Sequence, residues 1–203
     1  MNAIITFQGF TEGSQYRTGT EDLYFSIIRK FAGENVTTYH PEPWTADVKT
    51  IALQLARQHI RNVAMISYSH GQAAACDFAK ACYALGISVD LWLACDPVYR
   101  PAWVPRLNFL QPLAFRALSK SVNIKVPPNI RRVAGVRQKF NWPSGHDLIA
   151  TGDTHIEVFP FVPMSHTEID ASREWYDLVR DELSIWASPP KAIPVTLKDP
   201  LKP

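Results

Sequence analysis

The chain is poor in cysteine: Cys76, Cys82 and Cys95 are the three it has. Three cannot all pair within one chain, and none stands at metal-ligand spacing from a second cysteine or a histidine, so no disulfide framework or zinc motif is indicated. All three read as reduced, small core residues. No apolar run approaches the ~20 residues of a membrane span, and residues 1–9 lack the basic start and long apolar stretch of a secretion signal, so the expected location is the cytoplasm. Neither an internal repeat nor a nucleic-acid-binding motif is present. Acidic residues are missing from 97–145, a segment that carries nine basic ones: Arg100, Arg106, Arg116, Lys120, Lys125, Arg131, Arg132, Arg137 and Lys139. The rest of the chain therefore holds 12 basic against 19 acidic residues, a segregation that the formal charge of +2 conceals. A basic face of this kind attracts an anionic substrate, surface or partner; the alternative is a solvated surface paired with acidic residues that folding brings close.

What is present is the composition of one globular domain, 203 residues with 46% hydrophobic and 20% charged side chains. Residues 3–7 form an apolar, β-favouring run that ends in Gln8-Gly9-Phe10-Thr11. Leu23, Ile27, Ile28 and Phe31 mark one face of a helix that Gly33 would end, and 36–39 reads as the next strand. A second helix is expected from about Thr45 as N-cap, with Val48, Ile51, Ala52 and Leu55 buried. Residues 63–66 suit a buried parallel strand, 70–85 is Ala-rich and helix-favouring, and Gly86 is a natural C-cap. Residues 87–95 read as another buried strand, interrupted by Asp90 and ending at Asp96-Pro97. Strands alternating with helices through short connections predict an α/β fold, a parallel sheet covered on both faces, with sites at the carboxyl ends of its strands.

Beyond Asp96 the alternation breaks. Residues 97–128 are Pro-rich, with a possible helix at 113–121. Trp103, Phe109, Leu110 and Phe115 lie here among the basic residues, and they read either as a lid or substrate-pocket wall over the site or as an ordinary covering element. Residues 129–140 and 155–161 read as strands, and Trp175, Tyr176, Val179, Leu183 and Trp186 as the packing residues of a last helix. Residues 188–203 form a Pro- and Lys-rich tail whose composition suits disorder or a surface path.

The organising stretch is 62–76, Asn-Val-Ala-Met-Ile-Ser-Tyr-Ser-His-Gly-Gln-Ala-Ala-Ala-Cys. Strand must turn to helix at Ser69, which pushes the hydroxyl clear of the backbone at the carboxyl end of the sheet, beside the N–H groups of a helix N-terminus. Ser67 and Gly71 are the small residues that so tight a turn demands. The pentapeptide Ser67-Tyr68-Ser69-His70-Gly71 resembles the nucleophile elbow of the α/β-hydrolases, Gly-x-Ser-x-Gly, with serine in the first glycine position. The resemblance spans most of residues 1–187 and implies a single minimal α/β-hydrolase domain. Such a domain lacks the family's first two strands and keeps a mostly parallel central sheet of about five or six strands with helices on both faces.

The family's chain order of nucleophile, acid and histidine implies Ser69, Asp96 and His166 as catalytic residues. His166 stands between the last strand and the last helix, where the family places its base. The main-chain N–H groups of Phe10 and His70 would form the oxyanion hole. Asp147, after the following strand, is the alternative acid, since family members differ in which strand carries it; Asp96 is favoured because it directly ends an apolar strand. Of the other histidines, His146 lies in a loop that could reach the site, His155 begins a strand at the opposite edge, and His40 and His59 are assigned no chemistry. The implied activity is hydrolysis of a small-molecule or lipid-like carboxylic ester through an acyl-enzyme, with no cofactor or metal. Thioester hydrolysis and acyl transfer by the same residues, or a non-catalytic module that binds an anionic partner through 97–145, are the alternatives.

Overall fold

The structure is a computed structural model that describes residues 1–9, 19–98, 123–139, 141, 143–161 and 164–188. The first apolar run forms β1 (Asn2–Phe7), and α1 (Gly19–Ser26) follows. α1 is shorter than the sequence pattern suggests: the Ser26 hydroxyl bonds back to the Asp22 carbonyl at 2.6 Å, and a separate 3-10 turn, Ile28–Phe31, carries the remaining apolar positions. After β2 (Val36–Thr38) comes α2 (Val48–Arg57). Its N-cap is Asp47, whose carboxylate accepts from the N–H groups of Lys49 and Thr50, and Thr45 stands two residues too early to do so. His59, at φ 57°, supplies the left-handed turn that ends α2, with the Ile60 N–H donating to Leu55 O at 3.0 Å.

Next come β3 (Asn62–Tyr68), α3 (Gly71–Ala84) and β4 (Ser88–Cys95). Gly86, at φ 69°, closes α3, with the Ile87 N–H donating to Cys82 O. β5 (Ile124–Val126), β6 (Ile130–Gln138), β7 (Leu148–Ala150), β8 (His155–Phe161), a 3-10 turn (Ile169–Ala171) and the C-terminal helix α4 (Arg173–Ala187) complete the described elements.

Among the described residues, six strands pair in the order β2-β1-β3-β4-β6-β8, every pairing parallel. The chain passes from β1 to the edge at β2 and then crosses back to the far side of β1 at β3. The direction of winding therefore reverses between β1 and β3, and the crevice this leaves opens at their carboxyl ends. Helices cover both faces. Ala3, Ile5 and Phe7 of β1 pack with Leu55 of α2 and Phe78 of α3 in one core, and Ile4 packs with Leu23 of α1 and Trp175, Val179 and Leu183 of α4 in the other.

In β4 the register slips by one. Val63 pairs with Val89 but Ala64 pairs with Leu91, so Asp90 is an extra residue, and Val89 and Trp92 face the same core although three apart. The bulged carboxylate accepts from the Ser88 hydroxyl at 2.6 Å and lies 3.7 Å from Arg131.

β5 and β7 pair in a separate two-stranded parallel sheet, and Ile124 and Val126 are buried in the α2/α3 core. The end of the 97–128 segment is thus a core strand; Trp103, Phe109, Leu110 and Phe115 lie outside the described residues. Of the basic residues that are described, Arg132 sits between Glu182 (2.6 Å) and Glu157 (3.1 Å), joining β6 to α4 and β8, and Arg137 pairs with Asp147. No helix among the described residues is long and apolar enough to cross a membrane.

Candidate active site

β3 ends at Tyr68 and α3 begins at Gly71, so the chain reverses over Ser69 and His70. Ser69 takes φ 50°, a left-handed conformation that costs a residue with a Cβ free energy and persists because the surroundings fix it. Its N–H donates to Cys95 O and its carbonyl accepts from the Val98 N–H, both at 3.0 Å. Gly71 cannot carry a side chain: a Cβ there would lie 2.5 Å from Phe7 O and 2.6 Å from Gln8 O. The first turn of α3 thus packs directly on the carboxyl end of β1, which aims the helix N-terminus at the crevice.

Asp96 ends β4 in the same strained region, φ 40°, with its N–H donating to Val136 O on β6 at 2.8 Å. Its side chain is fully buried. A carboxylate there needs donors, and it has them: Oδ1 accepts from the N–H groups of Gln138 (3.0 Å) and Gly145 (2.9 Å), while Oδ2 accepts from Gln138 Nε2 (3.3 Å) and lies 2.5 Å from His166 Nδ1. His166 Nε2 in turn lies 2.7 Å from Ser69 Oγ. The carboxylate only accepts, so the Nδ1 atom carries the proton and Nε2 presents its lone pair to the serine hydroxyl.

His166 is held from behind. The Tyr68 hydroxyl donates to the His166 carbonyl at 2.6 Å, the Tyr68 ring stacks on the imidazole with centroids 5.2 Å apart, and the His166 N–H donates to Asn141 Oδ1 at 3.1 Å. One turn along, the hydroxyl and N–H of Ser165 bind the Glu168 carboxylate and hold its pKa below the ordinary value.

No protein-family model matches this chain, and no curated protein does. Solved structures do. The thioesterase domain SrfTE, described for the cyclization of the lipopeptide antibiotic surfactin, superposes with a TM-score of 0.53 at 13% identity, over 94% of this chain and 92% of that one. The type II thioesterase BorB from the borrelidin biosynthetic cluster gives 0.50 at 13%, over 90% and 92%. At that identity the likeness is one of fold. This is the α/β-hydrolase fold.

Within that fold, Ser69 follows β3, Asp96 follows β4 and His166 precedes α4, and the three side chains form one hydrogen-bonded chain. A hydroxyl so placed can pass its proton to Nε2 as it attacks an electrophilic carbon, and the imidazolium so formed is stabilised by the carboxylate behind it. His70 is the N-cap of α3, with its ring 4.9 Å from that of Trp44 and its main-chain N–H at the start of that helix. Phe10 lies outside the described residues. Asp147 is not brought to the site: its side chain is 66% exposed and paired with Arg137. His146 is buried, with its N–H on Pro97 O at 2.7 Å, and His155 is exposed beside Glu157 at the amino end of β8. His40 contacts the exposed Phe25 and its neighbour Tyr24.

The cysteine thiols offer no rival nucleophile. Burial pushes Cys76 and Cys82 up to about 12, and Cys95 is fully enclosed in the sheet. Among the described residues no group of His, Cys, Asp or Glu side chains is arranged to hold a metal ion. Sequence reasoning missed Gln138, Asn141, Gly145 and Tyr68, which hydrogen-bond to Asp96 and His166. Their contacts span 25 to 98 residues of chain and leave no local pattern to read.

Proposed function

We propose that the protein is a serine hydrolase that cleaves an acyl ester or thioester through an acyl-enzyme intermediate. The observation that carries this is the unbroken chain from Ser69 Oγ through His166 to the buried Asp96. In this reading Ser69 attacks the acyl carbonyl while His166 Nε2 takes its proton. Asp96 holds the imidazole in the tautomer that can accept it and stabilises the cation that results. The N–H groups of His70 and Phe10 stabilise the tetrahedral oxyanion. His166 then returns the proton to the leaving alkoxide or thiolate, and a water activated by the same nitrogen releases the acyl group.

Two solved structures with this fold are thioesterases by description, which supports a thioester substrate as well as an oxygen ester. We propose Trp103, Phe109, Leu110 and Phe115 as the acyl-chain wall, because their segment follows Asp96 in the sequence.

The test is labelling by a fluorophosphonate together with turnover of short and long p-nitrophenyl esters and of an acyl thioester, by wild type and Ser69→Ala. Both label and turnover should disappear in the variant, with a loss of about 10⁴-fold or more in kcat. The ratio of ester to thioester rates identifies the bond, and the chain-length preference tests the acyl wall. Folded wild type that neither labels nor turns over sinks the hydrolase reading and moves the weight to non-catalytic binding of an anionic partner.

A further inference from the structure

Gln138 is fully buried at the end of β6, where the alternation of the strand asks for nothing polar. A buried primary amide is costly unless its groups are bonded. Here Oε1 accepts from the Asn141 N–H at 2.9 Å, and Nε2 donates towards Pro143 O (2.6 Å), Asn141 O (3.1 Å) and Asp96 Oδ2 (3.3 Å). The donor at Asn141 fixes which end of the amide is oxygen, so the NH₂ must face the carboxylate.

The same side chain serves as the peg around which the loop after β6 is wrapped. That loop then reaches the site at two points: the Gly145 N–H donates to Asp96 Oδ1, and Asn141 Oδ1 receives the His166 N–H. The fit at the first point is close, since a Cβ on Gly145 would collide with Asp96 Oδ1. One amide therefore touches the acid directly, and through its loop it touches both the acid and the histidine.

We propose that Gln138 is a positioning residue that sets the geometry of Asp96 relative to His166, an inference that rests on the serine-hydrolase reading. It contacts no reacting atom and acts through Asp96 and His166. The charged and titratable groups around it are Asp96 and His166 in the site, Arg137 with its partner Asp147 alongside, and exposed Lys139 next in the chain.

The test compares wild type with Gln138→Met, which keeps the volume, removes the side-chain hydrogen bonds and leaves the main-chain N–H on Asp96 Oδ1, and with Gln138→Glu. On an ester that wild type turns over, Gln138→Met should lose about tenfold or more in kcat with KM little changed, because the misplacement is of catalytic groups and not of substrate. In an Asp96→Asn background the same substitution should cost far less, because both changes break one unit. In Gln138→Glu the introduced carboxyl donates to Asp96 only while protonated, and two neighbouring carboxylates resist joint ionisation. Its rate should therefore fall along a new descending limb as pH rises.

A readout independent of turnover is the downfield proton resonance of His166 Nδ1–H. It should move in Gln138→Met and vanish in Asp96→Asn. Overturning results are a Gln138→Met rate, pH profile and proton resonance like those of wild type, or a Gln138→Met loss equally large with and without Asp96. If Gln138→Met does not fold, the Gln138→Glu profile decides, and a profile parallel to that of wild type counts against the proposal. Wild type with the resonance but without label or turnover contradicts the hydrolase reading and leaves the positioning role to stand on the resonance.

Discussion

At Ser67 the chain departs from the glycine of the elbow pattern, and the structure gives the reason. The Ser67 hydroxyl accepts from the indole N–H of Trp92 at 2.9 Å, and both residues are fully buried. A serine here satisfies a donor that would otherwise have none, whereas at Gly71 two main-chain oxygens leave no room for any side chain. Ser67→Gly, which restores the family's usual residue, should therefore destabilise, by about 1–3 kcal/mol for the stranded N–H, with denaturant unfolding as the measurement. Ser67→Ala should lose nearly as much, and both variants should still label at Ser69. That Ser69, Asp96 and His166 would be brought together was legible because the chemistry restricts the residue types and the chain order restricts the choice. The choice of acid was less so. Asp96 and Asp147 both follow strands, and what separates them is burial and the Arg137 partner, neither of which a linear pattern carries. Gln138 was silent, since a lone glutamine after a strand acquires its role only from a carboxylate 42 residues away.

Among the elements, those with long apolar runs or strong periodicity could be read from sequence: β3, β4, β6, β8, α3 and α4 all fall within a few residues of expectation. β5 and β7 could not: three residues are too few to show a period, and neither has the β-favouring run Val36-Thr37-Thr38-Tyr39 that marks the equally short β2. The start of α2 was misplaced because Thr45 and Asp47 are both good cap residues, and only the reach of the side chain to the amides two and three residues on decides between them. α4 shows the same principle with consequences for the site. Its N-cap Ser172 accepts from the Trp175 N–H at 3.1 Å and donates to Ile169 O at 2.8 Å, and it is buried. Ser172→Ala should lower stability by about 1 kcal/mol. If α4 braces the segment that carries His166, thermal unfolding will shift while KM stays constant.

For the molecule as a whole, α4 closes one face of the sheet, with Trp175, Val179 and Leu183 buried against it. At roughly 1.5–3 kcal/mol for each such side chain, these three contribute an amount comparable with the total stability of a domain this size. A chain ending at Ser172 should therefore fail to fold, with calorimetry as the measurement. The charge segregation is met in part at this scale. Arg131, Arg132 and Arg137 meet Asp90, Glu157, Glu182 and Asp147 only after the sheet is assembled, so these three arginines of the basic stretch become local ion pairs, while Lys125 and Lys139 stay exposed.

The extra residue in β4 makes the length of this chain negotiable at one place. With Asp90 removed, Val89, Leu91 and Trp92 would alternate between the two cores as an unbroken strand does, and everything from Leu91 to Asp96 could keep its present partners, the extra residue passing to Arg131, which stands opposite Asp90 on β6. Loss of any one residue from 91 to 95 would instead draw Asp90 into the next apolar slot. In a library of single-codon deletions across 88–95, codon 90 should be the position that tolerates the gap, scored by soluble yield and melting temperature.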